Sequence, residues 1–360
     1  MGQSRRFDRV REFFAGFWQR ENALPIYLDF LLREVRPGWS RRVMMAKVVA
    51  ITQETPTCKS YCLQPPGRWQ GHSAGMHLPL AVEINGRWTR RTYSISSPPE
   101  QYRQQGTITI TVKRIPGGLV SNWLFGHLRV GQWLRIGEAA GCFTLNATAA
   151  PKLLLLAAGS GITPLFAMIN DPQASHRDLT LLYYCRHPGE VIFARQLEAL
   201  ASSRPGFRLV VVFSHREGPI DLPQLGRYCP DLAQRDVFMC GPQGFMDKAA
   251  ELLQASGVTP ERLFRESFGV RRPQSVPATE ESPSPVVFLK TRLTVQGDGH
   301  STLLELAEAA GLKPRHGCRA GVCHQCKCTK VSGQVVDLRD GRASGFAQED
   351  IQACISVPRG

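Results

Sequence analysis

The sequence predicts a protein of several domains that combines β and α/β architecture. Over residues 41–150, short β-like runs are separated by turns with Gly or Pro, as in an antiparallel β-barrel. From residue 151, strands alternate with helical segments, which is typical of a Rossmann-like unit with a parallel sheet. A cluster of four cysteines within the eleven residues 318–328 marks a third compact unit over 286–360.

Length and composition limit the possible classes. The 360 residues are 42% hydrophobic and 21% charged, as in ordinary globular proteins, so a disordered or fibrous chain is excluded. No apolar run reaches the roughly 18 residues of a membrane span, and the N-terminus lacks a secretory signal. We therefore expect a cytoplasmic protein. The net charge of +14 comes without a zinc-finger or helix-turn-helix pattern, so we expect no nucleic-acid partner.

The N-terminal segment, residues 1–40, has apolar residues at helical spacing, which predicts amphipathic helices that end at Pro37-Gly38. These helices either cover the barrel or contact a partner or the inner membrane surface. The barrel over 41–150 follows. Its predicted strands are 43–51, His77–Ile84, 107–112 and Trp133–Ile136.

The α/β unit is predicted over 151–270. Its strands are Lys152–Ala158, 179–184, 208–213 and 237–240, and its helices include 164–169, 192–201 and 245–256. Residues 271–285 are rich in Pro, Ser and charged residues and have little to bury, so we interpret them as a linker.

The cysteine spacing in the last unit is the most specific signal. Cys318-x4-Cys323-x2-Cys326, with Cys354 farther along, fits the plant-type [2Fe–2S] ligand pattern. A zinc site or unligated thiols are the alternatives, but zinc sites usually show paired CxxC or Cys/His spacings. Cys328 falls outside the pattern, although exchange of roles between Cys326 and Cys328 stays open.

Two glycine turns predict nucleotide-phosphate sites. Gly159-Ser160-Gly161 follows an apolar strand and precedes a helix, an arrangement that presents backbone N–H groups to a pyrophosphate. Pro164 suits the first turn of that helix. Gly117-Gly118 precedes a second helix, for which we predict Ser121 as the cap. Arg91, Tyr93 and Ser94 end a β-like segment and offer a cation, an aromatic face and a hydroxyl.

Together these motifs resemble the ferredoxin–NADP reductase family, in particular members with a ferredoxin domain fused at the C-terminus. The resemblance covers roughly 41–360. It rests on RTYS at 91–94, GGLVS at 117–121, GSGITP at 159–164, CGP at 240–242 and the cluster cysteines, all in the family's order. It implies an FAD-binding barrel, an NAD(P)H-binding α/β domain and a C-terminal β-grasp ferredoxin domain.

The resemblance also implies roles for individual residues. Ser94, Cys240 and Glu266 would be catalytic, and Cys318, Cys323, Cys326 and Cys354 would bind the [2Fe–2S] cluster. The residues implied for FAD are Arg91, Thr92, Tyr93, Ser94, Gly118, Leu119, Val120, Ser121 and, by stacking, Phe268, which replaces the family's Tyr. Those implied for NAD(P)H are Gly159, Gly161, Thr163, Pro164, Cys240, Gly241 and Pro242. We also expect Arg186, Ser214 and Arg216, at two strand ends, to favour NADPH over NADH by binding a 2′-phosphate.

The expected activity is electron transfer from NAD(P)H through FAD and the [2Fe–2S] cluster to an outside acceptor. Residues 1–40 are similar to the N-terminal extension of bacterial reductases that serve membrane fatty-acyl desaturases, so a desaturase is the predicted acceptor. The alternatives are a ring-hydroxylating oxygenase or a hybrid-cluster protein. A nucleotide-binding redox sensor without turnover is the non-enzymatic alternative.

Overall fold

The computed structural model describes Ser40 and residues 43–268, 285–316, 321, 326–338 and 341–359. The helices predicted over 1–40, apart from Ser40, therefore lie outside the described residues. The same holds for the linker predicted over 271–285, apart from its last residue, and for Cys318 and Cys323.

The N-terminal part of the described chain is an antiparallel β-barrel. Its strands are β1 (Met44–Thr55), β2 (Cys58–Gln64), β3 (His77–Ile84), β4 (Arg87–Ser94), β5 (Ile108–Lys113) and β6 (Trp133–Ile136). They lie in the order β4-β3-β6-β1-β2-β5. A backbone bridge between Ile95 and Ile110 brings β5 back to the end of β4, and this closes the sheet. Two helices, α1 (Pro99–Gln105) and α2 (Leu119–His127), flank the barrel.

Alternation along the barrel strands explains its core. In β3, every second residue from Leu78 to Val82 is buried, as expected for strands with one face inside. Five of the six strands bury residues in the barrel core, together with Trp69, Ile95 and apolar residues of α2 and its C-terminus, and Tyr93 of β4 packs against this core.

The next domain has a parallel sheet with helices on both faces. In chain order its elements are β7 (Lys152–Ala158), α3 (Ile162–Ile169), β8 (Asp178–Cys185), α4 (Ala194–Ser203), β9 (Phe207–Phe213), α5 (Ser214–Glu217), α6 (Leu222–Tyr228), β10 (Asp236–Gly241), α7 (Gln243–Ala255) and β11 (Leu263–Ser267). The sheet order is β11-β10-β7-β8-β9. Because both faces are covered, β7 and β8 are almost continuously buried.

The two faces of this sheet carry separate apolar cores. One includes α3, α4 and the barrel residue Cys58, so part of the barrel packs into the core of the α/β domain. The other includes α6 and α7. The two domains therefore share buried surface.

The C-terminal unit contains β12 (Pro285–Phe288), β13 (Leu293–Gln296), α8 (Leu303–Ala309), β14 (Lys327–Lys330), β15 (Gln334–Asp337), β16 (Glu349–Gln352) and β17 (Ser356–Arg359). The strands pair as β12-β13, β14-β16 and β15-β17, all antiparallel. Helix α8 begins with a capping box: Thr302 accepts from the backbone N–H of Glu305, and Glu305 accepts from that of Thr302.

The predicted fold class is confirmed, and most predicted elements occur within a few residues of their predicted bounds. Within the barrel and the α/β domain, the sequence pattern does not predict β2 and β11, because their polar side chains obscure the alternation. It indicates β4 only as the β-like segment that ends at Ser94, and it predicts no bounds for the strands of the C-terminal unit. The predicted cap of α2 was wrong. Gly118 is the N-cap, and Ser121 is the third residue inside the helix. No helix within the described ranges has the length and hydropathy required to cross a bilayer.

Candidate active site

One carboxylate of the α/β domain contacts two residues of the barrel. Glu266 lies on β11, and its two oxygens face two barrel residues. Its Oε1 is 3.3 Å from Nδ1 of His77, and its Oε2 accepts a hydrogen bond of 3.3 Å from the hydroxyl of Ser94. Ser94 is buried. The structure thus brings together two predicted catalytic residues, Ser94 and Glu266, and adds His77.

The third predicted catalytic residue lies beside Glu266. Cys240 on β10 is the register partner of Glu266 on β11. Its side chain is fully buried, and both this burial and the nearby Glu266 carboxylate raise the pKa of the thiol well above its usual value. Cys240 is therefore a protonated thiol at neutral pH.

The turn that follows β7 approaches the end of β10 very closely. A Cβ on Gly161 would lie 1.9 Å from the carbonyl oxygen of Cys240 and 2.7 Å from the amide nitrogen of Gly241. Only glycine fits there. The backbone of the predicted nucleotide loop therefore packs against the CGP segment, and both predicted motifs occupy one place in the fold.

The same turn is anchored on its other side. The hydroxyl of Tyr183 donates to the carbonyl of Gly159, and Thr163 Oγ1 donates to the carbonyl of Ser160. Thr163 and Pro164 both lie buried in the first turn of α3. From the barrel, Lys113 forms a 3.3 Å ion pair with Glu190 of the α/β domain. The two hydrogen bonds restrain the loop, and the ion pair joins the two domains beside it.

The segment Arg91–Ser94 forms the end of β4. Tyr93 is partly buried against the barrel core, and burial raises the pKa of its hydroxyl. Arg91 donates to the carbonyl of its neighbour Arg90. The hydroxyl of Thr92 is buried without a hydrogen-bond partner among the described residues, which is unusual for a buried polar group.

A second such hydroxyl lies at the N-terminus of α2. Ser121 is buried and its Oγ also has no partner in the described part of the chain. A Cβ on Gly118 would lie 2.4 Å from this oxygen, so the glycine keeps the space beside it open. Leu119 and Val120 form the first turn, where backbone N–H groups lack helical acceptors. The donor set suits an anionic oxygen such as a phosphate.

The predicted phosphate-binding cations lie at the carboxyl ends of β8 and β9. Arg186 and Arg216 are exposed, and Ser214 donates weakly to the carbonyl of Cys185. His215 links the two strand ends, because its Nδ1 is 2.6 Å from the carbonyl oxygen of Arg186 and its Nε2 accepts from Arg216. Phe268, in contrast, is 48% exposed and follows β11.

In the C-terminal unit, the structure describes two of the four predicted cluster ligands. Cys326 and Cys354 are both buried, and the amide of Ala353 donates to the carbonyl of Cys326, which brings the two segments together. Cys328 lies on β14 and is exposed. Within the described segments, His, Cys, Asp and Glu side chains form no group of three suited to a metal ion, but Cys318 and Cys323 are outside them.

The sequence did not indicate His77, Lys113 or Glu190. Each is an ordinary surface residue type, and its importance depends on strand register or on contact between domains. Only the position of His77 directly across from Ser94 in the β3–β4 pair could have drawn attention to it.

Comparison with known proteins agrees with this arrangement. Family models match at residues 45–144 (oxidoreductase FAD-binding domain), 155–251 (oxidoreductase NAD-binding domain) and 287–359 (2Fe-2S iron-sulfur cluster binding domain). Fold and site together define a pyridine-nucleotide-dependent reductase that is a flavoprotein with a [2Fe–2S] domain.

Similarity to known reductases extends over nearly the whole chain. The chain is 30% identical to an NADPH oxidoreductase of Mycobacterium tuberculosis, over 93% of this chain and 88% of the relative. It is also 30% identical to the glycine betaine monooxygenase reductase subunit of Pseudomonas aeruginosa, over 92% and 98%. The structure of phthalate dioxygenase reductase has the same fold, with a TM-score of 0.59, 24% identity and 88% and 95% coverage. The chain belongs to the ferredoxin–NADP reductase family, among members with a C-terminal ferredoxin domain, and it transfers electrons from NAD(P)H through FAD and a [2Fe–2S] cluster.

Proposed function

We propose that this reductase takes electrons from NADPH and delivers them to an oxygen-activating iron enzyme, with the reacting rings meeting at Ser94, Glu266 and Cys240. The contact of Glu266 with Ser94 across the two domains carries this proposal. FAD supplies the chemistry that turns a two-electron donor into a source of single electrons for the cluster. The protein has to hold the rings and exclude water.

We assign the FAD-binding roles to the barrel. Tyr93 provides an aromatic face, Arg91 a cation, and the Gly118–Ser121 turn binds phosphate oxygens. The unpartnered hydroxyls of Ser121 and Thr92 support this assignment, because a bound cofactor would supply the acceptors that both groups lack. Ser94, fixed by Glu266, would present its hydroxyl to the flavin ring. Exposed Phe268 would cover that ring.

We assign NAD(P)H to the α/β domain. The Gly159–Gly161 turn, Thr163 and Pro164 would bind its pyrophosphate, and Cys240, Gly241 and Pro242 would line the nicotinamide. In the C-terminal unit, Cys318, Cys323, Cys326 and Cys354 would be the cluster ligands. Burial of Cys326 and Cys354 within one apolar group supports the last assignment.

The preference for NADPH rests on Arg186, Ser214 and Arg216. Two exposed guanidinium groups at neighbouring strand ends offer bidentate donors for a 2′-phosphate. Replacing Arg216 with Ala should lower kcat/KM for NADPH by roughly 10-fold to 100-fold, the effect of losing a hydrogen bond to a charged group. The value for NADH should stay within about twofold. Arg227, an exposed arginine over the Tyr228 ring, provides the control variant R227A.

An iron oxygenase is the acceptor that the P. aeruginosa relative favours, since that protein is named as the reductase subunit of a monooxygenase. A membrane fatty-acyl desaturase is the second candidate. It is favoured by the amphipathic pattern of residues 1–40, in which Arg outnumbers Asp and Glu.

Two experiments test the proposal. Anaerobic addition of NADPH to the purified protein should bleach both flavin and [2Fe–2S] absorption bands, and a colourless protein would refute the assignment. The acceptor is tested by NADPH consumption with a purified Rieske-type oxygenase and with a membrane desaturase. A chain that lacks residues 1–40 is compared in both. Loss of coupling to the desaturase alone would favour the second candidate.

A further inference from the structure

We propose that His77 is a positioning residue for Glu266, and that His77 and Ser94 together set the carboxylate at the junction of the two domains. The inference rests on the proposed function, because it concerns the same carboxylate. It adds a residue that the motifs of this chain do not include.

Strand register makes the arrangement possible. His77 and Ser94 are direct partners across the antiparallel β3–β4 pair, so their side chains project from neighbouring points on one face. Glu266 comes from β11, which is the edge strand of the other domain's sheet. One carboxylate thus bridges two adjacent side chains, with one oxygen for each.

Both the backbone and the ring of His77 have further neighbours in the barrel. Its backbone exchanges two hydrogen bonds with Ala140, of 2.8 and 2.9 Å. A Cβ on Gly141 would lie 3.0 Å from Nδ1, so a side chain there would displace the ring. The His77 and Glu266 side chains are only 12% and 14% exposed. Water is therefore a poor substitute for His77 as the partner of Oε1.

The carboxylate has several possible rotamers, and only some leave Oε2 beside Ser94. A donor at Nδ1 of His77 selects among them by fixing Oε1. When this donor is lost, Glu266 is free to leave Ser94, and the hydroxyl loses its acceptor. The effect should appear in the electron-transfer step, because neither His77 contact involves the nucleotide-binding turn.

The test compares two substitutions in the holoprotein. Asn places an amide nitrogen near the position of Nδ1, whereas Leu removes the donor at similar volume. By anaerobic stopped-flow, His77→Leu should lower the rate constant of flavin reduction by bound NADPH about tenfold, with less than about threefold change in Kd. His77→Asn should restore the rate to within about threefold of wild type. His127→Leu, an exposed histidine on α2, should have no effect.

A second readout does not depend on activity. In hydrogen–deuterium exchange of the holoprotein, His77→Leu and Glu266→Ala should each increase exchange of the peptide over residues 260–268. The double variant should exchange no faster than Glu266→Ala alone. In flavin reduction, His77→Leu should change the rate less than about twofold when Glu266 is already replaced by Ala, because His77 acts only through Glu266. A change of this size is within the deviation from additivity that independent sites show.

The outcomes separate the two ideas. If wild-type flavin is reduced by neither NADPH nor NADH, the proposed function is refuted, and the positioning role with it. If wild type is reduced and His77→Leu reacts at the same rate, or if the effects of His77→Leu and Glu266→Ala multiply, the function stands and the role of His77 is refuted.

Discussion

Gly161 offers a sharp test of how the nucleotide loop packs, because a methyl group at this position would overlap the backbone of β10. The methyl carbon introduced by G161A would lie 1.9 Å from the Cys240 carbonyl oxygen, against about 3.4 Å for ordinary contact, so turn and strand must separate by about 1.5 Å. The φ angle of Gly161 is −62°, so the backbone conformation itself suits alanine. The entire cost of G161A is therefore steric.

Overpacking of a buried site costs about 1–3 kcal/mol. Because the atoms in the way belong to the backbone and cannot rotate away, we expect G161A to lower the free energy of unfolding by about 3 kcal/mol. In a domain of this size, that amount lowers the thermal midpoint by about 10 °C. Circular dichroism of the holoprotein measures the midpoint, and titration with NADPH measures the affinity. Because the turn moves away from Cys240 and Gly241, we expect NADPH binding to weaken as well.

Two other glycines provide matched controls. Gly244 is the second residue of α7, and a Cβ there meets no atom within 4 Å, so G244A should leave stability unchanged or slightly higher. Gly159 has φ +53° and only Lys113 nearby, so G159A should cost about 1–2 kcal/mol of backbone strain. If G161A melts at or above the G244A midpoint, the close approach of the turn to β10 is wrong.

Three more outcomes follow from the site and its surroundings. Ser121→Ala should weaken FAD binding about tenfold in a flavin titration while leaving the apoprotein as stable as wild type, and an apoprotein that is clearly destabilised would contradict an unpartnered hydroxyl. Cys326→Ser should abolish the [2Fe–2S] absorption and leave the flavin bands, whereas Cys328→Ser should keep both; the opposite result would exchange their roles. Arg235 and Lys152 hold the pKa of Asp231 well below its usual range, so the folded state gains stability above about pH 4 and loses it as pH falls further. The thermal midpoint should therefore drop between pH 5 and pH 3, and less so in Asp231→Asn.

The sequence was sufficient for the elements whose pattern is local. The apolar runs of β7 and β8, the glycine turn after β7 and the cysteine spacing all predict structure without knowledge of the fold. It was insufficient where side chains were polar or where partners are distant. Strand β2 buries Ser60 against Thr111, with 2.8 Å between their hydroxyls, so a polar residue occupies a core position and breaks the alternation. Ser121 has the chemistry of a helix cap, yet Gly118 takes that place, because the chain before the helix turns through Gly117 at φ +70°.

The contacts between the barrel and the α/β domain lie on both sides of the nucleotide loop. On one side Lys113 pairs with Glu190, and its Nζ lies 4.0 Å from where a Cβ of Gly159 would be. On the other, Glu266 meets Ser94 and His77 beside Cys240. Residues of both domains thus lie around the loop, and if the cofactors bind as proposed, we expect the distance between their rings to depend on contacts that neither domain forms alone. Substitutions at these contacts should therefore slow electron transfer more than they reduce cofactor content, whereas substitutions within one domain's phosphate turn should do the reverse.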